Sequence, residues 1–449
     1  MSRAESLRKQ LIRGGIGGGL VRVSGALLGI ALTVVLARTL GADGLGVYGY
    51  VYGIVMLLAI PAQLGFPTLV VRETAKLQVR QEWALMLGLW RVAAGAAGLA
   101  ALLTVAAAGA VAWVVADRGS PLQSATFYFG LLLVPMITLG NLRGAALKGL
   151  RRIAAGEMPE LVVRPGAFMA LALVVSIAFA PLTPDVAMAL HVGAGVLAFV
   201  LGGIALKRAC PSPLFAVARP RYETRIWIRA AVPLSLLTAI QVVNQYAPLV
   251  VLGVLRPPED VGVYRVVTQA AMFVVFGLQI VNVVASPYIA RLHSAHEPDK
   301  LRRLVAGAAR ASILFAAPIA LLFIVLGDQI LAIAFGSQFA VGYRALAILC
   351  LGQLVNAAAG PVGYLLTMTG HVRQTVVAIG VGMVVNVLLT VALAPSLGLE
   401  GAAIATATAL VSWNVSLWWF ALKRLGIDSC AIPVGRLLLR LQARLSAGS

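Results

Sequence analysis

The sequence predicts an all-α integral membrane protein of about twelve transmembrane helices, arranged as two six-helix lobes. Three observations predict it. Hydrophobic residues make up 60% of the chain and charged residues only 12%, with a mean hydropathy of +0.94; soluble domains carry roughly a quarter charged residues. About twelve apolar runs reach the roughly 20 residues that cross a hydrocarbon core. They are too long for barrel strands, which need only about 9 to 11 residues in an alternating pattern. Finally, a polar corner in the first half of the chain recurs in the second.

That corner is Leu36 to Tyr48, which joins two apolar runs and restarts the chain with Gly46-Val47-Tyr48. Val251 to Tyr264 does the same, through a short charged turn ending in Gly262-Val263-Tyr264. Gly41, Gly44 and Gly46 are expected to turn the first corner and Gly262 to mark the second. A further correspondence, Leu147 to Arg151 with Met368 to Arg373, keeps nearly the same offset. Each unit holds an even number of spans, so the two share one orientation, and their pseudo-twofold axis is expected along the membrane normal. The Pro-rich, basic connection Lys207 to Arg229 separates them. The expected domains are thus 1-222 with spans one to six, 223-425 with spans seven to twelve, and a tail at 426-449.

Charge fixes the topology. About 27 basic residues lie in the loops on one side and about 4, Arg38, Arg118, Arg256 and Arg344, at the other, so both termini are expected in the cytoplasm. The net charge of +20 follows this asymmetry, which suits contact with anionic lipids rather than nucleic acid. The first span is too long for a signal-peptide core and has no small-residue cleavage site, so it is expected in the mature protein. The cysteines, Cys210, Cys350 and Cys430, fall in a loop, a span and the tail, a layout without a disulfide framework.

The first helix opens on Gly14 to Gly19, where two small-xxx-small pairs allow close helix packing. Arg22 then shares a small, polar face with Ala26, Gly29 and Thr33. A charge near the bilayer centre costs about 2.5 to 3.5 kcal/mol on insertion scales, which makes Arg22 a functional candidate. Snorkelling to the headgroups is the equal alternative. Arg91, Glu160, Arg164 and Arg310 sit near the basic ends of their spans, and Glu160 with Arg164 has the i, i+4 spacing of an ion pair.

Polar stripes are sharper in the second half. Ser235, Thr238, Gln241 and Gln245, with Asn244 beside them, stripe the seventh span. Arg265, Gln269, Gln279 and Asn282 lie on one face of the eighth, Gln353 and Asn356 on the tenth, and Asn386 on the eleventh. A hydrated cavity accounts for three such stripes better than interhelical hydrogen bonding alone. In the tail, leucines interleave with Arg436, Arg440 and Arg444, as in an amphipathic helix lying on a membrane surface.

Nothing in the chain points to an enzyme. The four histidines lack the spacing of a zinc site, no phosphate-cradling loop is present, and no cofactor or metal is expected. No acidic residue sits squarely at mid-membrane, as a cation-coupled exporter ordinarily requires. Arginines and amides suit instead an anion such as a phosphate or diphosphate.

Ala37-Arg-Thr-Leu-Gly with Gly46-Val-Tyr, Asp260-Val-Gly-Val-Tyr264, Ser286-Pro-Tyr-Ile-Ala290 and Gly360-Pro-Val-Gly-Tyr-Leu-Leu-Thr-Met-Thr-Gly370 resemble the O-antigen-type polysaccharide flippases. These belong to the multidrug/oligosaccharidyl-lipid/polysaccharide exporter superfamily, and the similarity covers roughly residues 10 to 425. The resemblance implies a MATE-like two-lobed bundle in the bacterial inner membrane that flips polyprenyl-diphosphate-linked oligosaccharide by alternating access. It implies an anionic headgroup in a V-shaped cavity between the lobes, and a polysaccharide polymerase and glycosyltransferases of the same pathway as partners. Asn244 stands where some relatives carry an acidic residue. The expected site comprises Arg22, Arg38 and Arg265 for the headgroup, with the amides Gln241, Asn244, Gln245, Gln269, Gln279, Asn282, Gln353, Asn356 and Asn386 toward sugar. The alternatives are an ion-coupled exporter of small organic molecules on the same fold, and a scaffolding protein with a dead cavity.

Overall fold

A computed structural model describes residues 3–114, 121–178 and 181–431, and these are almost entirely helical. The amphipathic tail expected at 435–446 lies outside the described residues. Nine helices are long and apolar enough to cross a membrane, or ten when a pair bent by 49° counts as one span, among the described residues. Two of them are each divided by a glycine outside helical geometry, which is consistent with the twelve spans expected.

The first of these is α1 (Arg3–Gln63), broken at Gly41 with φ 68° and ψ −176°. The expected three-glycine hairpin is therefore compressed into one residue: Gly44 and Gly46 already belong to the next helical stretch. One positive φ, a region costly to any residue with a β-carbon, breaks the helix without a loop. Then follow α2 (Phe66–Arg80), α3 (Trp83–Val114), α4 (Pro121–Leu131), α5 (Leu133–Gly149) and α6 (Ile153–Met158). A π turn over Pro159–Val163 joins α6 to α7 (Arg164–Ala178). Next come α8 (Pro184–Ala209), the short α9 (Ser212–Phe215) and α10 (Thr224–Leu255).

The second corner also differs from expectation. Gly262 lies buried inside α11 (Pro258–Ala271), and the chain turns before it, at Arg256 and Pro257. Pro258 starts the helix where a missing N–H costs nothing. Glu259 and Asp260 follow in the first turn, where the helix dipole favours negative charge, and Arg256 Nε donates to Asp260 Oδ2 at 2.8 Å. The rest of the chain is α12 (Phe276–Ser294), α13 (Pro298–Ala334), α14 (Tyr343–Ala359), α15 (Val362–Met368) and α16 (Val372–Leu425). α16 is the second divided helix, broken at Gly398 with φ 57°.

The chain divides into two compact units, Met1–Val250 and Val251–Ser449. On two helices of the first unit, small residues face inward over several turns while large apolar ones face outward. α3 buries Ala93, Ala97 and Ala101 while Leu99, Leu102, Leu103 and Val111 are exposed. α8 buries Ala187, Ala194, Ala198 and Gly202 while Leu197 and Val200 are exposed. Lipid is as apolar as leucine, so helices associate through close backbone approach rather than by hiding large side chains. The protein is accordingly multi-pass.

The repeated tyrosines do equivalent work. Tyr48 is buried and shares a 2.8 Å hydrogen bond with Nδ1 of His191 on α8. Tyr264 is buried and shares one of 2.8 Å with Thr406 Oγ1 on α16. Partners stand 143 residues on in one unit and 142 in the other. The three cysteines are free, and burial, with Asp428 adding to it, pushes the Cys430 thiol up to about 11.

Candidate functional site

The first unit holds a cluster of charge built around the π turn, with its two carboxylates largely buried. Pro165 has no N–H to give to the carbonyl of Leu161 four residues back. That carbonyl faces α1 at Gly25, where a β-carbon would lie 2.9 Å from it. Gly18, two turns earlier on the same face, meets Ile153, with a β-carbon 2.8 Å from its Cγ2. The two glycines bring α1 and α6 close, and Arg22 between them meets Glu157. Arg22 Nε donates to Oε2 at 2.8 Å and Nη2 to Oε1 at 2.7 Å, a two-pronged pair between residues 135 apart. Lys148 Nζ of α5 lies 4.0 Å from the same carboxylate.

One turn further, Glu160 binds two more arginines. Arg164 Nη1 is 3.2 Å from its Oε2, as the i, i+4 spacing predicts, and Arg143 Nη2 donates to Oε1 at 3.4 Å. Arg143 is only 8% exposed; it also donates to the Phe199 carbonyl and stacks on the Phe199 ring at 5.0 Å. Its guanidinium occupies the space a side chain at Gly202 would need. Gly202→Ala is therefore expected to destabilise the protein by about 1 to 3 kcal/mol through overpacking. Thermal unfolding in detergent measures it, and an unchanged midpoint contradicts it. Among the described residues, four cations face two carboxylates, an excess of two positive charges.

An aromatic shell adjoins the cluster. Phe168 of α7 stacks on His191 at 4.7 Å and 5°, and Tyr52 lies 5.3 Å from the same ring. Tyr246 of α10 meets Tyr52 edge-on at 6.0 Å, and Arg164 is within electrostatic reach of Tyr48, Tyr52 and Tyr246.

Beside Lys148 opens a cavity of about 500 Å3. Its polar lining includes Gln63 of α1, Arg72 of α2, Asn141 and Lys148 of α5, and Ser235 and Thr238 of α10. Asn141 Nδ2 donates to Gln63 Oε1 at 3.1 Å, and Gln63 Nε2 donates to the Ala59 carbonyl at 3.1 Å.

Residues 11–293 match the family model of polysaccharide biosynthesis proteins. The chain belongs to this family. Residues 233–392 match a second model, MatE. A relative, the "Probable low-salt glycan biosynthesis flippase Agl15" of Haloferax volcanii, is 25% identical over 157 residues, 35% of this chain. The match spans 33% of that relative's length. Among solved structures, an inward-facing multidrug resistance MATE family transporter superposes with a TM-score of 0.70 at 13% identity, covering 91% of this chain and 98% of that one. Lipid II flippase MurJ, in an inward closed conformation, gives 0.69 at 11% identity, covering 96% and 93%. The fold is that of these two solved structures.

In the first unit Arg22 is bound to Glu157, Arg38, Gln241 and Gln245 are exposed, and Asn244 is half-buried. Ser235 and Thr238, lower on the same stripe, line the cavity. In the second unit Arg265, Gln269 and Asn282 are half-buried and Gln279 is exposed. Asn282 Oδ1 is buried without a hydrogen-bond partner.

Two polar chains tie helices of the second unit together. Asn414 Nδ2 donates to Asn356 Oδ1 at 3.1 Å, and Asn356 Nδ2 to Gln353 Oε1 at 3.2 Å. Thr406 Oγ1 donates to Asn386 Oδ1 at 3.2 Å and continues to Tyr264. Glu157, Gln63 and Asn141 are not among the site residues expected from the sequence, and Arg143 and Lys148, counted there among the basic loop residues of one side, lie instead on α5, which runs to Gly149. The available signal was Glu157, Glu160 and Arg164 on one helical face, punctuated by Pro159 and Pro165.

Proposed function

We propose that this protein is a flippase for polyprenyl-(di)phosphate-linked oligosaccharide. It carries the substrate from the inner to the outer leaflet of the cytoplasmic membrane by alternating access, for surface polysaccharide biosynthesis. The observation that carries the reading is the excess of two positive charges around the largely buried carboxylates of Glu157 and Glu160 in the first unit. Forked guanidinium groups bind phosphate oxygens bidentately, and a cluster with spare positive charge in a low-dielectric setting gains most from an anion. Family membership and the glycan flippase relative support the same chemistry. The basic loops support a cytoplasmic location for both termini and for the end of the bundle that carries Lys148. Outward movement of a negative headgroup is favoured by about 2.3 kcal/mol per charge per 100 mV in a cell with a negative interior.

The MatE match over residues 233–392 supports a second reading, an ion-coupled exporter of small organic molecules. A deletion strain separates the two. The flippase reading expects polyprenyl-linked glycan to accumulate at the cytoplasmic face and surface glycan to be lost, both reversed by the cloned gene. Unchanged surface glycan with raised drug sensitivity overturns it in favour of the exporter.

A further inference from the structure

We propose that the cavity beside Lys148 is the subsite for the sugar attached directly to the diphosphate, with Lys148 and Arg72 holding phosphate oxygens and the Gln63–Asn141 amide pair reading the ring. This rests on the flippase reading and adds to it a specificity site for the phosphate-proximal sugar. The cavity's volume, about 500 Å3, falls within the roughly 300 to 1,000 Å3 of ligand sites. All its lining belongs to the first unit.

The chemistry is distributed along one helix face. Asn141 and Lys148 are seven residues apart on α5, two turns and roughly 10 Å along the axis. A cation and an amide at that separation match a phosphorylated sugar bound lengthwise. Lys148 is held only loosely, its Nζ 4.0 Å from Glu157 Oε1, so its three N–H donors can turn to phosphate. Arg72 spends Nε on Glu73 at 3.0 Å and keeps its two terminal nitrogens.

Gln63 is held at both ends, donating one N–H to Ala59 and accepting from Asn141, and keeps a second N–H. This fixes the Asn141 amide, which keeps its Oδ1 and one N–H, an acceptor and a donor for adjacent ring hydroxyls. Ser235 and Thr238 add hydroxyls from α10, while Ile60, Val71 and Val242 supply apolar surface for the C–H face of a ring. A site built to hydrogen-bond hydroxyls discriminates strongly, because an ill-fitting ligand leaves its polar groups unpaired.

The test measures calorimetric binding of two water-soluble probes, geranyl diphosphate and geranyl-diphosphate-linked N-acetylglucosamine, to the full chain in lipid nanodiscs. Wild type is expected to bind the sugar probe at least tenfold more tightly. Asn141→Ala and Gln63→Ala are expected to erase that advantage while leaving the bare diphosphate unchanged. Lys148→Gln is expected to weaken both probes about tenfold, and Lys148→Arg to restore them. Thr238→Trp, which fills the cavity without altering charge, keeps the test open if an amide variant misfolds; it is expected to block the sugar probe selectively. Sugar preference that survives Asn141→Ala and Thr238→Trp overturns the subsite while leaving the flippase reading intact. Wild type that binds neither probe overturns both.

Discussion

Glu160→Gln is expected to cost about 3 to 5 kcal/mol of stability, the penalty for breaking a buried ion pair by removing one partner. Glu160 is the shared counter-ion of Arg143 and Arg164, whose side chains are only 8% and 17% exposed. Glutamine preserves the volume and one acceptor oxygen but removes the charge, leaving two guanidinium groups in a low-dielectric interior. The effect therefore comes from uncompensated charge rather than from lost packing. Glu297→Gln is the matched control. Its pair with Lys300 joins side chains 39% and 63% exposed, and exposed pairs contribute about 0 to 1 kcal/mol. Unfolding of both variants in the same detergent measures the contrast. Equal small losses would show that solvent reaches the Glu160 cluster.

Much of the fold is legible in the sequence because a membrane demands long apolar runs, and their length and basic flanks survive any detail of packing. The tripeptide Gly-Val-Tyr is legible for a chemical reason: Tyr48 and Tyr264 each need a buried hydroxyl partner, and each finds one on a later helix of its own unit. The corners were read too loosely, since composition shows glycines but not which one takes the positive φ, here Gly41. The charged cluster was the least legible part. Arg22 and Glu157 are 135 residues apart, and no local pattern announces such a pair. Arg143 and Lys148 were counted as topology signals because a basic residue past an apolar run looks the same whether the helix stops or continues. The stripe on α14 is visible in the sequence, but the partner of Asn356, Asn414, lies 58 residues on and no local pattern links the two.

Glu157→Gln is expected to act in the opposite sense from an ordinary site mutation: tighter binding of the anion and slower transport. Glu157 occupies both prongs of Arg22 and partly neutralises Lys148. An incoming diphosphate has to compete with that carboxylate for the same donors. Removing its charge raises the local excess from two positive charges to three and removes the carboxylate that competes for Arg22 Nε and Nη2. A charge-assisted hydrogen bond contributes about 1.5 to 3 kcal/mol, so affinity for geranyl diphosphate is expected to rise about tenfold or more. Release on the far side then loses its competitor, and flipping per folded molecule is expected to fall by a similar factor. Stability changes little, because Arg22 is 52% exposed on its side chain and remains hydrated. Arg22→Ala gives the complementary result, a loss of both affinity and transport of about a hundredfold as two such bonds disappear. Arg22→Lys, which keeps the charge but not the fork, falls between. Titration with the diphosphate probe and a liposome flipping assay read the two quantities separately. Weaker binding in Glu157→Gln would mean that Glu157 positions Arg22 for the substrate rather than competing with it, because a competitor's removal can only free the cation it held.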